Sequence, residues 1–540
     1  MFRKLPPVLI ALVALALLAS ACGPATPNGG TTTPTPQKGG MITFGLIGDP
    51  VVLNPVLSTD VPSGSINSRV YNGLVRTNEK LELVGDLADK WDFSADGLTW
   101  TFHLKKNVFW HDGQQFTAAD VKFTYETIKS PDYTGVRTND LKFITEIEAP
   151  DDFTVKIHLD KPYAPLLSKL TLGIIPKHIF ETVPVAQMEE SQANLKPVGT
   201  GPYKLAEWQR GQVVSLEANA RYFGEGPYID KVVYRVYQND QAMLAALEKG
   251  EIDYMGTIPA DDLERVTKSL ADRYEFTPIP QNGYTYIGLK QTDPVLGDKA
   301  VRQALMYAAN REQVVEDVLK GYGDVMNSNI PKASWAYAGD QLNEYKFDPE
   351  KAKQLLDQAG WKPGSDGLRA KDGQKLTFKL LTSTGNKTLE SALVIVQKNW
   401  KDIGVDCQVE YLEWPVLVSQ YLDMAQFQSY ALAWSLGIDP DFYLYFHSSA
   451  AVDDQGQLVG FNDVEFKDSR LDHLLEQGRA ELDQDKRKQI YIEAQKIVND
   501  ELPYVFLYAN NAPVAMSKRI QGVTWSPTGP IFPEKWWVKQ

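Results

Sequence analysis

Two cysteines in 540 residues, Cys22 and Cys407, leave no room for a disulfide framework. Histidine is nearly as scarce. The six are His103, His111, His158, His178, His447 and His473, and no two stand three or four residues apart, the spacing that sets paired metal ligands on one helix face. G-x-S-x-G, H-E-x-x-H, C-x-x-C and the phosphate-loop pattern are all missing. "VGTGPY" has two glycines but lacks the third of a dinucleotide fingerprint. These absences point away from an enzyme and toward a binding protein with no cofactor and no metal. There is no basic run, and the formal net charge is −14, so nucleic acid is not an expected partner. After the N-terminal segment no stretch is apolar enough to span a bilayer.

What is present begins with Arg3 and Lys4, followed by an apolar run from Leu5 to Ala19 and then by Ser20, Ala21 and Cys22. The run is shorter than the ~20 residues of a membrane span. A charged start, a short apolar stretch and small residues before a cleavage point read as an export signal. With Cys22 directly after it, residues 1–21 resemble a bacterial lipoprotein signal, which implies that Cys22 is lipidated and becomes the anchor. Residues 22–40 are Gly, Pro, Thr, Asn and Ala with little else, a composition that cannot bury enough apolar surface to fold, and they read as a flexible tether. An extracytoplasmic body is expected beyond it.

The length exceeds one hydrophobic core, so two or three lobes are expected. Alternation marks strands in "LTWTFHLKK", with Trp100, Phe102 and Leu104 on one face, and in "FTVKIHLD", with Phe153, Val155, Ile157 and Leu159 inward. "KVVYRVY" and "KLTFKLLT" are further strands, and Cys407 sits in a strand-like run as a buried small hydrophobe. Thr117 and Asp120 mark a helix start. In "DPEKAKQLLDQAG", Asp348 caps a helix with Pro349 at its first position, and Gly360 ends it. "DKAVRQALMYAANREQVVEDVLKG" reads as two helices, the second capped by Asn310 with Gln313 as capping-box partner. A helix near Asp485–Asn499 precedes a strand in "LPYVFLYAN". Strands and helices mix without a βαβ rhythm, which gives a mixed α/β (α+β) body.

Several segments resemble the family 5 extracellular solute-binding proteins, the peptide, dipeptide and nickel binders of ABC importers. The most specific is "DGLTWTFHLKKNVFWHDGQQFTAADVKFTYE" at 96–126. "IIPKHIFE", "PVGTGPYKLAEWQRGQVVSLEANARYF", "LEKGEIDYM" and "AWSLGIDPDFYLYFHSS" follow in the usual order. The His111-Asp112-Gly113 stretch is expected to be a turn. Gly199-Thr200-Gly201-Pro202 is expected to be a crossover whose glycines allow unusual backbone angles.

The resemblance implies a three-domain, two-jaw periplasmic-binding-protein-like fold. Domain I comprises 41–75, 195–280 and 501–540, domain II 76–194 and domain III 281–500, with crossings near "TPIPQNGY" and "NDELPYV" and the ligand cleft between domains I and III. It implies capture of oligopeptides or dipeptides by jaw closure and delivery to an ABC importer permease and ATPase complex by a monomer anchored to the cell membrane by lipid. In peptide-binding relatives the ligand backbone lies between two extended segments. The matching positions are Thr59, Asp60 and Val61, and Trp434 and Ser435. Relatives often hold the ligand ammonium with an Asp three residues after that Trp. Gly437 stands there instead, with Asp439 and Asp441 as candidate substitutes or as caps of a turn. Tyr286, Trp335, Trp414 and Trp434 are candidate aromatic walls. Such walls also suit an oligosaccharide, and this alternative stays open beside a nickel or metal-chelate ligand, a surface hydrolase, and a sensor or chaperone that passes no solute.

Overall fold

The computed structural model describes residues 35–133 and 135–539. The export signal, Cys22 and most of the tether lie outside the described residues. At the tether's end the body has already begun. Gly39 donates its N–H to the Tyr228 carbonyl at 2.8 Å, and the Gly40 carbonyl accepts from Asp230 at 3.1 Å. The flexible segment expected to run to residue 40 therefore ends before Gly39.

Two large hydrophobic cores organise the chain. The first gathers residues from Ile42 to Tyr234 together with Met516, Ile520 and Trp536. The second gathers Tyr284 to Ala509. Each is built around a large sheet. In the first lobe a seven-stranded sheet runs in the order Tyr274–Pro278, Pro513–Ser517, Tyr254–Met255, Met41–Ile47, Lys231–Tyr237, Val213–Ala218, Tyr203–Gln209. Met41–Ile47 lies parallel to Lys231–Tyr237, with Phe44 opposite Tyr234. The second lobe holds a six-stranded sheet in the order Gly323–Val325, Tyr504–Asn510, Gly283–Leu289, Ser429–Ser435, Thr377–Ser383, Asp406–Leu412. Parallel and antiparallel pairs occur in both, as the mixed reading expects.

A third, four-stranded antiparallel sheet joins the first core, ordered Ala88–Phe93, Thr99–Leu104, Thr154–Leu159, Ile144–Asp151. Its inward residues are Trp100, Phe102, Leu104, Val155, Ile157 and Leu159, the set that alternation predicts. Phe153 falls in the turn before the strand and is half-buried. The helix Ala118–Lys129 packs on this sheet. Its start carries the reciprocal capping box of Thr117 and Asp120. Asp120 also accepts the Lys177 N–H at 3.0 Å, tying "IIPKHIFE" to the helix.

The second lobe follows the sequence signals with one departure. Asp348 caps Pro349–Gln358 through the Lys351 N–H at 2.8 Å, and Gly360 leaves the helix at φ +89°. Lys299–Ala308 forms as expected. Asn310 caps the next turn through Gln313 N at 3.0 Å, but the reciprocal bond of a capping box is absent. The Asn310 N–H goes to Asn399 and the Gln313 amide to Asp317. After Arg311–Gln313 the chain widens into a π-helical turn, Val314–Val318. Arg311 causes much of this local order. It is fully buried, and its guanidinium gathers the carbonyls of Met326, Glu344, Tyr345 and Phe506. Cys407 is buried in Asp406–Leu412, and burial pushes its thiol far above the ordinary range.

The chain passes between the large sheets twice. The first passage is at residues 279–282, between Tyr274–Pro278 and Gly283–Leu289. The second was expected near "NDELPYV", but Tyr504–Asn510 pairs with Gly283–Leu289 inside the second sheet. The return comes at Asn511–Ala512, before Pro513–Ser517 enters the first sheet. Continuous apolar burial explains the shift: Tyr504 to Ala509 all belong to the second core.

Candidate functional site

The strand Ser429–Ser435 ends at the gap between the lobes, and the segment Leu436–Asp441 continues from it. The first interlobe passage holds this segment. Leu436 donates its N–H to the Asn282 carbonyl at 2.9 Å, and the Asn282 side-chain amide donates to the carbonyls of Gly437 at 2.8 Å and Leu436 at 3.3 Å. A cavity lies on either side. One, of about 490 Å³, is lined by Asp140, Phe143, Tyr163 and Lys169 of the first lobe and by Asn329, Leu436, Gly437, Asp439, Tyr445 and Phe461 of the second. The other, of about 400 Å³, is lined by Phe44, Arg69, Arg76, Asp86, Tyr234 and Glu534, with Ile438 reaching in from the second lobe. One short segment thus lies between two interlobe spaces: Leu436, Gly437, Asp439 and Asp441 line the larger and Ile438 reaches into the smaller.

Asp439 and Asp441 are both committed. Arg487 grips Asp439 through two hydrogen bonds of 2.5 and 2.6 Å, with the two side chains only 6% and 11% exposed. The same carboxylate accepts the Asp441 N–H at 3.0 Å, which closes a turn. Asp441 accepts from Arg479 Nε at 2.8 Å and from the Tyr443 N–H at 3.1 Å. Burial pushes the Asp441 carboxyl above its usual range, against the pull of Arg479. The turn-capping role is therefore filled at Asp439, and neither carboxylate is free to replace the one missing at Gly437. Gly437 itself faces open space, and a Cβ built there meets no atom within 4 Å. Beside it in the same cavity, Asn329 is 2% exposed and its amide oxygen has no hydrogen-bond partner.

The other candidates fall into two groups. Trp434 is half-buried, with its ring 4.8 Å from Tyr445 and 5.4 Å from Phe461, so it backs the larger cavity's aromatic wall. Ser435 is exposed at the end of the strand, opposite Gly283. Tyr286 is fully buried, stacked on Tyr504 at 4.2 Å, and shows no surface to a cavity. Trp335 is half-buried against Arg487, 5.7 Å from ring to guanidinium. Trp414 is 54% exposed at the start of the short helix Trp414–Val416 and lines neither cavity. The segment at Thr59, Asp60 and Val61 is a helix start and not an extended strand. Asp60 accepts the Ser63 N–H at 2.7 Å, and Val61 is the first residue of Val61–Val70. Ser65, Ser68 and Arg69, farther along that helix, face the smaller cavity.

The "HDG" and "GTGP" motifs position this helix. The His111 ring accepts the Gly199 N–H on Nδ1 at 3.2 Å, so Nε2 carries the proton donated to the Gly201 carbonyl at 3.0 Å. Burial lowers its pKa to about 4, so the ring is neutral at pH 7. Gly201 N donates to the Val70 carbonyl at 2.8 Å. A Cβ at Gly199 would stand 1.8 Å from the Val70 oxygen, and one at Gly201 would stand 2.3 Å from the Arg69 oxygen. Close approach, and not an unusual backbone angle, demands these glycines. In the smaller cavity Arg76 bonds Glu534 at 2.9 Å, with Asp86 beside it. Burial raises the Asp86 carboxyl to about 6 in spite of Arg76 and the Asn72 amide.

Away from the lobes' gap, the outer face of the four-stranded sheet brings ligand atoms of Glu146, Glu148 and His158 within 4.8 Å of one another. Cross-strand pairing makes this cluster, with Glu146 opposite His158, so linear spacing gave no sign of it. Asn282, Asn329, Arg69, Tyr445 and Phe461 were likewise missed. The aromatic "DFYLYFHSS" stretch was the one signal available for Tyr445.

A sequence model of the bacterial extracellular solute-binding proteins, family 5, middle region, matches residues 82–455. The oligopeptide-binding protein AppA of Bacillus subtilis (strain 168) is 34% identical over 541 aligned residues, which cover 98% of each chain. The structure of AppA in complex with a nonapeptide superposes with a TM-score of 0.73 at 35% identity, covering 94% of this chain and 100% of that one. DppA of Helicobacter pylori in complex with the peptide STSA gives a TM-score of 0.72 at 26% identity, covering 93% and 99%.

Proposed function

The chain belongs to the bacterial extracellular solute-binding proteins of family 5, and we propose on that footing that it captures peptides between its two lobes and delivers them to the membrane complex of an ABC importer. Membership makes it a non-enzymatic component of transport that works outside the cytoplasm. The observation that carries the peptide reading is the Leu436–Asp441 segment. It is held by Asn282 between two cavities, with Leu436, Gly437, Asp439 and Asp441 on the larger and Ile438 on the smaller. A peptide laid along such a segment can pair with its backbone and place side chains on either side. Two relatives described with bound peptide support that class over an oligosaccharide.

Each lobe has its own core, and the lobes also touch directly at the larger cavity, where Ala164 donates its N–H to the Arg479 carbonyl at 2.7 Å. A ligand that contacts both lobes shifts their equilibrium by its differential affinity for the closed form. We read domain I as 41–75, 195–280 and the chain from 511 onward, domain II as 76–194, and domain III as 281–510. Cys22, after Ala19-Ser20-Ala21, is read as the lipid anchor of a monomer. Calorimetric titration of the body from Lys38 onward with defined tri- to nonapeptides, beside maltotriose and nickel–histidine, tests the ligand class. Small-angle scattering on the same samples tests closure. Peptide binding with a smaller radius of gyration is expected. Binding of maltotriose or the chelate alone overturns the reading.

A further inference from the structure

Arg69 is an arginine without a counterion in an interlobe cavity. It stands in the last turn of Val61–Val70. Its guanidinium centre lies 5.4 Å from the Trp536 ring and 6.0 Å from that of Phe44. Nη1 donates to the Ser68 hydroxyl at 3.3 Å, the guanidinium also lies in hydrogen-bond reach of the Tyr234 hydroxyl, and Nε is buried with no partner. Among the described residues Arg69 forms no ion pair. The two carboxylates of the same cavity, Glu534 and Asp86, gather around Arg76. The deeply buried arginines elsewhere each spend several donors: Arg302, Arg311, Arg369 and Arg487 all bond main-chain carbonyls, and Arg302, Arg369 and Arg487 pair with carboxylates as well.

The backbone at Arg69 is closely packed. The crossover glycines press on its backbone, since a Cβ at Gly201 would meet the Arg69 oxygen at 2.3 Å, and Gly201 N holds the next carbonyl. A guanidinium with apolar faces on its flanks, neutral hydroxyls as partners and no counterion is a fork matched to a carboxylate. Leaving such a charge unpaired on closure is unfavourable, and a ligand anion removes that cost.

We infer that Arg69 is the anion subsite of this cavity and that the chain favours peptides that place a carboxylate there. The inference rests on the peptide reading above and deepens it. The carboxylate can be the peptide's C-terminus or an Asp or Glu side chain, and the test separates the two sources. Titrations use Ala-Gln-Ala-Gln-Ala as the free acid, the same peptide as its C-terminal amide, and Ala-Glu-Ala-Glu-Ala amide, against wild type, Arg69→Gln and Arg69→Lys. A charge-assisted hydrogen bond of this kind corresponds to a ~10- to 100-fold change in Kd.

If the C-terminus is the source, amidation weakens wild-type binding by that factor and glutamate does not restore it. If a side chain is the source, the glutamate amide binds that much more tightly than the glutamine amide. In either case Arg69→Gln levels the series and Arg69→Lys keeps part of the preference. Should Arg69→Gln fail to fold, the wild-type and Arg69→Lys series still decide. Equal affinity of wild type for all three peptides, or a preference that survives in Arg69→Gln, overturns the subsite while leaving the peptide reading intact. No binding of any member overturns both.

Discussion

Asp439 separates two accounts of the Leu436–Asp441 segment, one in which its carboxylate holds the ligand and one in which it holds the segment. The structure assigns it to the segment, through the bidentate pair with Arg487. Asp439→Asn removes one charge from a pair whose side chains are 11% and 6% exposed. Arg487 keeps the Gly478 carbonyl at 2.6 Å and the Tyr491 hydroxyl at 3.1 Å, neither of which neutralises it. Breaking a buried pair by removing one partner costs about 3–5 kcal/mol. Asp439→Asn should therefore destabilise the second lobe by that amount. The double variant Asp439→Asn/Arg487→Met should lose less than the sum of the two single losses, because no orphan charge remains. Urea unfolding followed by tryptophan emission reports this directly, since Trp335 lies 5.7 Å from the Arg487 guanidinium. A variant within ~1 kcal/mol of wild type that nevertheless loses peptide binding while fully folded would refute the reasoning. It would return Asp439 to the role of ligand-binding carboxylate.

Gly199→Ala forces a methyl to 1.8 Å from the Val70 oxygen, so the crossover must part from the helix that carries Arg69. A loss of ~3 kcal/mol or more is expected in denaturant titration, from backbone overpacking and the disturbed His111 bonds, and an unchanged midpoint would contradict the packing argument. Gly437→Asp should be accepted sterically, because its Cβ meets nothing within 4 Å. It should make binding of a free-amine peptide ~10-fold tighter relative to its N-acetylated form, by adding a charge-assisted bond, and a ratio like that of wild type would refute this. Burial raises the Asp463 carboxyl to about 7, against the Tyr430 hydroxyl bonded to it at 2.8 Å. A carboxyl with a raised folded-state pKa contributes stability that is full below the ordinary value near 4 and is lost as pH climbs toward 7. Wild type should therefore lose on the order of 2–4 kcal/mol relative to Asp463→Asn between pH 4 and pH 8, and a difference independent of pH would remove the argument.

Much of the frame was legible because local physics decided it. Alternation located Thr99–Leu104 and Thr154–Leu159, where one face meets a core and the other meets water. Caps located the helices that begin after Thr117 and Asp348. What was not legible depended on long-range pairing. The return passage moved to Asn511–Ala512 because Tyr504–Asn510 completes a sheet whose other members lie far away in sequence. Asn310 lost half of its capping box to Asn399, 89 residues on. The site shows the same division. The aromatic "AWS" stretch marks the right strand, but alternation cannot tell that Tyr286 lies behind the wall while Tyr445 and Phe461 form it. The extended segment expected at Thr59–Val61 rested on the resemblance alone, whereas Asp60 as cap and Pro62 in the first turn are signals of the helix that forms there. Arg69 carried no sequence mark at all. Its meaning comes from the absence of a counterion, which only the packed structure displays.

The central claim is that peptides occupy the space along Leu436–Asp441. The most direct measurement is native mass spectrometry of the body from Lys38 onward, purified gently from its host, then unfolded so that anything released can be sequenced. The account predicts a set of masses that resolve into mixed short peptides. A ladder spaced by hexose units, or a single chelate, would contradict it.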